Sequence, residues 1–269
     1  MDHGDSVIEI RVESLGDAQV IESWPELWWD LPLAVVDVET TGFDPQEDRI
    51  IEVGIVHFHR GKVTETWGQL VKPGRPIPDA VVELTGITDA DVAQAPTFDK
   101  VAAEVLARLQ GKGIVAYNLP FDRKFLSTEL ARAGLTWPAE SPTFDPLIFA
   151  RQFHEDKGSK KLGEVASRLG IDLLEAHRAV DDATVAGHVL YAFRELLPPQ
   201  LQALLVLQAQ WERQQETKIR FRSKRMDQEA SSWLSDDQTT IGLGPGFIYG
   251  SEPDPLRALY SSVPSARRD

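Results

Sequence analysis

The chain contains no cysteine, so neither a disulfide nor a thiolate-bound metal takes part in its fold or chemistry. That absence fits a reducing, cytoplasmic setting. No apolar run approaches the length of a membrane span, and Met1 to Asp5 lack a basic stretch leading into an apolar block. Neither a transmembrane segment nor a secretory signal is expected. Positive charge is scarce too: 28 Lys and Arg stand against 42 Asp and Glu, for a formal net charge of −14. Residues 1–30 carry eight acids and one base, whereas residues 198–269 carry nine of each. Such a balance argues against tight, non-specific duplex binding through a broad basic surface. It leaves room for a nucleic-acid enzyme whose positive charge comes from metal ions and a local groove.

The 269 residues, 42% of them hydrophobic, suffice for one large domain or two small ones with a real core. Residues 1–30 read as an acidic, irregular extension with one short alternating run, Val7 to Val12; Trp24, Trp28 and Trp29 dock its end by ordinary packing. Residues 31–197 alternate strand and helix patterns. Strands are expected from Leu33, over Ile50–Phe58 and over Val63–Val71, the last two joined at Gly61-Lys62 as a hairpin. Helices are expected near Ala80–Leu84 and Phe98–Leu109, a short buried strand at Ile114–Tyr117, and a helix from Pro120 to Ala133. A further short strand at Thr143–Asp145 precedes helices through Phe153, over Lys160–Leu169 and over Ala179–Leu196. Antiparallel-compatible strands followed by strands separated by helices indicate a mixed α/β sheet with helices on its faces. Pro198-Pro199 breaks the chain. A polar helix from Leu201 to about Ala230 carries the basic cluster Lys218, Arg220, Arg222, Lys224 and Arg225. A loosely ordered tail with a docked Trp233 follows from Ser231.

The most informative segment is Leu33-Ala34-Val35-Val36-Asp37-Val38-Glu39-Thr40-Thr41-Gly42. The Val-rich run reads as a central strand with both faces covered, and Asp37 and Glu39, two apart, project from one face. Two adjacent carboxylates in such a setting repel each other and lose hydration, so they neutralise or find a cation. Oxygen ligands suit Mg²⁺ or Mn²⁺. The plainer alternative is a strand end where both acids reach water. Asp122, in Asn118-Leu119-Pro120-Phe121-Asp122, falls in the first turn of a helix, where the helix dipole alone favours a carboxylate. Asp181 and Asp182 fall at the start of another helix, after His177, and the same plain reading applies to them.

Together these residues resemble the DEDDh (DnaQ-like) 3′–5′ exonuclease family, in particular the proofreading epsilon-subunit type of DNA polymerase III. The motifs occur in order: Asp37-Val38-Glu39-Thr40-Thr41-Gly42, then Asn118 to Asp122, then His177 followed five positions later by Asp182. Leu84 to Thr88, Phe144-Asp145 and Lys161-Leu162-Gly163 are further landmarks, and the resemblance spans roughly residues 31–197. It implies a ribonuclease H-like fold and two divalent cations held by Asp37, Glu39, Asp122 and Asp182, with His177 as general base. Asp181 is the register competitor, but Asp182 alone has the family's spacing from His177. A sister class carries Tyr at the position of Arg178. Thr40, Thr41 and Phe43 match the stretch that lines the terminal nucleotide; for Phe43, stacking on a base and ordinary loop packing stand side by side. Many relatives have His in place of Thr85 and Tyr117. Lys157, Lys160 and Lys161 are open to a phosphate contact or to plain solvation.

The chemistry asks for this set. Phosphodiester hydrolysis needs a nucleophile at neutral pH and charge relief at the leaving oxygen, which paired metal ions supply. A histidine titrates in the right range to take the water's proton. The resemblance implies release of nucleoside 5′-monophosphates from single-stranded or frayed DNA 3′ ends, with a DNA polymerase subunit as a partner. An RNA 3′-end trimming exonuclease and a noncatalytic polymerase-associated interaction module are the alternatives. Oligomeric state is not legible.

Overall fold

The computed structural model describes residues 24–172 and 177–235, the side chains as far as Phe221. Val7 to Val12 and the segment after Ser235 lie outside the described residues, as does the side chain of Trp233. The chain divides into two compact units, one ending at Gln214 and one beginning at Gln215.

Five strands form one mixed sheet in the order β3-β2-β1-β4-β5. β1 (Leu33–Thr40) runs antiparallel to β2 (Ile50–His59), which pairs antiparallel with β3 (Lys62–Leu70). β4 (Gly113–Val115) and β5 (Thr143–Phe144) continue the sheet in parallel. The hairpin turn sits one residue earlier than the sequence suggests: Arg60 and Gly61, at φ 51° and 80°, are its central residues, and His59 pairs with Lys62. A two-residue turn matching the strand twist needs positive φ at both positions, which Gly61 meets without strain.

Alternation along β1 divides the core. Leu33 and Val35 point into one apolar layer, with Ile148 and Phe149 of α5 (Pro146–Phe153), Val165 of α6 (Leu162–Arg168), and Ala183, Ala186 and Val189 of α7 (Ala179–Ala192). Ala34, Val36 and Val38 point into the other, with Val101 and Val105 of α3 (Phe98–Leu109) and Phe125, Leu126 and Leu130 of α4 (Leu119–Arg132). A strand covered on both sides requires the near-continuous apolar run seen in sequence. A smaller cluster, Ile51, Ile77, Ile87 and Val92, sits under α1 (Asp79–Thr85) and α2 (Asp89–Val92).

Trp28, fully buried in the first layer, begins a single 3-10 turn whose Trp28 N–H donates to Pro199 O at 3.1 Å. The predicted docking of the tryptophans is thus visible at Trp28. α8 (Leu201–Ser235) extends beyond the expected stop near Ala230; Leu201 and Leu204 close the first layer. Among the described residues, no helix is long and apolar enough to cross a membrane.

Candidate active site

Asp37 and Glu39 stand on the face of β1 that Leu33 and Val35 share, beyond the reach of the apolar layer and at the strand's C-terminal end. Open α/β sheets bind ligands at the C-terminal ends of their strands. Two helix starts converge there.

The first is α4. Asn118 takes a left-handed conformation, φ 74°, and Pro120 occupies the first turn, where its missing N–H costs nothing. The orphan N–H groups at this end are met by Asp145: Oδ1 accepts from Asn118 N at 3.0 Å and Oδ2 from Leu119 N at 3.2 Å. Asp145 also caps α5 through Leu147 N at 2.9 Å, so one buried carboxylate fixes two helix starts. Burial lifts its pKa to about 6 against these hydrogen bonds. Held this way, buried Asp122 accepts from Val38 N at 3.1 Å, between Asp37 and Glu39.

The second is α7. Its first residues lie on two glycines paired across β2 and β3, Gly54 and Gly68. A Cβ on Gly54 would come within 2.3 Å of the Ala179 backbone, and one on Gly68 within 2.6 Å of Val180 Cγ2. Gly54 pairs with Asp37 in the sheet, so this close approach sets the helix start directly beside the acidic face. Glu52, the cross-strand partner of Glu39, binds it there. Its carboxylate accepts from Ala179 N at 3.1 Å and from Arg178 Nη2 at 2.8 Å. His177, at φ 67°, donates its backbone N–H to Asp182 Oδ2 at 2.9 Å.

Glu39, His177 and Asp182 each offer a ligand atom, all within 4.8 Å of one another. Asp37 and Asp122 lie outside that trio but act on the same space. Burial, then the charges of Asp122 and Glu39, push Asp37 well above the usual carboxylate range. Burial followed by Asp182, Glu52 and Asp122 lifts Glu39 to about 8, which Arg178 partly offsets. Burial raises Asp122, against its hydrogen bond from Val38, and takes Asp182 to about 6. Asp181 enters only as a neighbouring charge on Asp182. Burial and the charge of Lys161 lower His177, leaving its imidazole neutral near pH 7. Several carboxylates that each resist ionisation, with oxygen donors and one imidazole converging, fit hard divalent cations.

The loop after β1 is braced from below. Glu129, buried on α4, takes both Arg49 and Arg132, and Arg132 reaches the carbonyls of Pro45 and Gln46. Asp48 accepts from Thr41 Oγ1 at 3.1 Å and from Asp44 N at 3.1 Å. Thr40 and Thr41 are thereby buried, their hydroxyls spent on Gly42 O and Asp48, whereas Phe43 is 41% exposed, edge-on to Phe121 at 6.4 Å. Thr85 bonds within its own turn, and the Tyr117 hydroxyl donates to Lys160 O at 2.5 Å. Of the three lysines, Lys157 is exposed, Lys160 donates to Gly158 O, and Lys161 is the one whose charge reaches His177.

The four acids and His177 singled out in the sequence lie together here, whereas Glu52 carried no role there and Asp145 was a landmark only. Glu52 lies inside Ile50-Ile51-Glu52-Val53, where only strand register places it opposite Glu39.

The fold is that of known exonucleases. Escherichia coli exonuclease I in complex with a dT13 oligonucleotide superimposes with a TM-score of 0.56 at 19% identity, over 61% of this chain and 41% of that one. Exonuclease X in complex with 5′-overhanging duplex DNA gives 0.53 at 22%, over 65% and 99%. Mixed sheet and flanking helices are those of the ribonuclease H-like exonuclease fold. Residues 34–190 match the RNase T exonuclease family model, and the chain belongs to that family. The PolC-type DNA polymerase III of Thermotoga maritima is 37% identical over 169 residues, 62% of this chain and 12% of that protein. The 3′-5′ exonuclease DinG of Bacillus subtilis is 34% identical over 175 residues, 63% of this chain and 19% of that protein. The chain thus carries an exonuclease domain of DnaQ-like type, a nuclease hydrolase, and spans a small part of these relatives' length.

Proposed function

We propose that this chain is a 3′–5′ exonuclease that removes nucleoside 5′-monophosphates from single-stranded or frayed DNA ends, using two divalent cations, Mg²⁺ or Mn²⁺. The observation that carries this reading is the convergence of Asp37, Glu39, Asp122 and Asp182 from one strand and two helix starts, at raised pKa, with neutral His177 beside them. The four carboxylates would hold the cations, which when bound supply activation of water and charge relief at the leaving oxygen. Glu52 stays out of the ligand set because Arg178 and Ala179 N already occupy it. His177 accepts the proton of the attacking water at a ring nitrogen. Backbone groups at Thr40 and Thr41 meet the terminal 3′-hydroxyl, and Phe43 stacks on the terminal base, for which its exposure beside Phe121 leaves room.

DNA is favoured as substrate by the DNA polymerase named among the relatives and by the DNA in the structural neighbours, and a polymerase subunit is the matching partner in replication. On the same reading the exonuclease domain is 31–197, flanked by extensions, and works in the cytoplasm. The test is degradation of labelled single-stranded DNA, RNA and mismatched duplex ends with each metal, for the wild type, Asp37→Ala and Glu39→Ala. Mononucleotide release that needs metal and vanishes in both variants is expected; retained activity in both would sink the proposal. A clear preference for RNA would move the reading to RNA trimming. Inactivity on every substrate, with a stable polymerase complex, would make the chain an interaction module.

A further inference from the structure

An open groove of about 710 Å³, lined by elements that neighbour the site residues in sequence, lies within the compact unit that ends at Gln214. Two of its margins belong to elements that also build the site. Pro45 and Gln46 come from the braced loop that presents Phe43, and Leu119 and Pro120 from the turn that delivers Asp122. One wall is the outer face of α4, where Arg123, Lys124, Ser127 and Thr128 recur at the helical interval and form a donor stripe. The facing wall is the start of α8, with Gln208 and Glu212.

The stripe gathers two cations on one wall. In a chain of net charge −14, cations are scarce, and Arg49, Arg75, Arg108, Arg132 and Arg178 are all engaged by carboxylates. Arg123 and Lys124 are exposed, and among the described residues neither makes an ion pair or a hydrogen bond, although both stand on a cavity wall. Arginine, lysine and hydroxyl side chains are the usual donors to phosphate oxygens, which set the path of a strand without reading its sequence.

We infer that the groove between α4 and the start of α8 carries the strand upstream of the scissile 3′ end, with Arg123 and Lys124 on its phosphates. The inference rests on the exonuclease reading, since the site's end of the groove fixes which end of the strand enters. Glu212, on the opposite wall, repels phosphates and keeps the backbone against α4. The polar donors face the sugar-phosphate side, so the contact tolerates any sequence.

The test compares the full chain with Arg123→Ala/Lys124→Ala and with Glu212→Gln. Binding of labelled oligothymidylate is followed by anisotropy in chelator over a range of salt, and hydrolysis of a long oligothymidylate and of a dinucleotide is followed with Mg²⁺. The double variant should lose roughly ten-fold in affinity and flatten the log–log salt slope by about 1.4, roughly 0.7 for each phosphate contact removed from a single strand. Its KM for the long strand should rise more than its KM for the dinucleotide, which is too short to fill the groove. Glu212→Gln should bind the strand more tightly than the wild type, an outcome that misfolding cannot mimic. An unchanged salt slope, or equal losses for both substrate lengths, would overturn the groove assignment while leaving the exonuclease reading intact. A wild type that hydrolyses neither substrate would instead remove the reading on which it rests.

Discussion

His177 is the residue whose role the geometry sharpens most. Its ring lies with Glu39 and Asp182 inside a space small enough for a cation, and its pKa is lowered by burial and by Lys161. A neutral imidazole in that place can serve either as a base or as a ligand, and the two roles separate in measurement. If it is the base, His177→Ala should cut kcat by roughly 10²–10⁴-fold with cation affinity little changed. Titration of Mn²⁺ by calorimetry beside single-turnover hydrolysis checks this; a parallel collapse of affinity would mark it as a ligand. The acids around it were legible because carboxylates interrupting an apolar strand, or set at helix starts in fixed order, leave a mark in one dimension. Glu52 and Arg178 were not. Their pairing joins residues far apart in sequence, and Glu52 alone looks like any polar residue in a strand.

At the scale of elements, the placement of α7 depends on the absence of two side chains. The Cβ of Gly54→Ala would meet backbone atoms of Ala179 and Val180 at 2.3–2.5 Å, and backbone cannot step aside without moving the helix start. The Cβ of Gly68→Ala would meet the Val180 side chain, Cγ2 at 2.6 Å, which can give way at less cost than backbone. Gly54→Ala should therefore cost about 1–3 kcal/mol in urea unfolding and most of the activity, because His177 and Asp182 shift with the helix. Gly68→Ala should lose less of both. Equal, mild effects of the two substitutions would show that α7 is held elsewhere. The elements themselves were largely readable: α3 falls where the apolar spacing puts it, and the order of strands and helices is as patterned. Turn and end positions were less so. The hairpin is centred on Arg60-Gly61 because strand register selects the turn, and α8 runs on to Ser235 because helical continuity outlasts its apolar periodicity.

For the molecule as a whole, the acidic site is a source of instability that the cations of the proposed mechanism would relieve. Glu39 rises from 4.5 to about 8 and Asp182 from 3.8 to about 6 on folding, so between those limits the folded state holds more protons than the unfolded chain. The contribution of these two groups to stability then falls as pH rises through that window, since losing those protons is harder in the folded protein. Carboxylates with lowered pKa act elsewhere: Asp91 and Asp99, stabilised by hydrogen bonds from Thr88 and Thr97, lose their contribution only as pH drops below the ordinary carboxylate range. Below about pH 6.5 the lowered pKa values of His57, His154, His177 and His188 act the other way, so the metal-free protein should melt at progressively lower temperature from about pH 7 to about pH 8. Cations bind the ionised form, so Mg²⁺ or Mn²⁺ should reverse this loss, most strongly at the alkaline end. At about 100 times its Kd, a cation should raise the Tm by roughly 5–10 °C there and by much less at about pH 5. Glu39→Gln removes the group with the widest titration gap, so it should raise the metal-free Tm near pH 8 and shrink the response to metal. Scanning calorimetry across pH, with chelator or cation, decides the matter. A metal-free Tm flat in pH, or a metal response independent of it, would mean that the carboxylates are neutralised from within the fold and hold no cation.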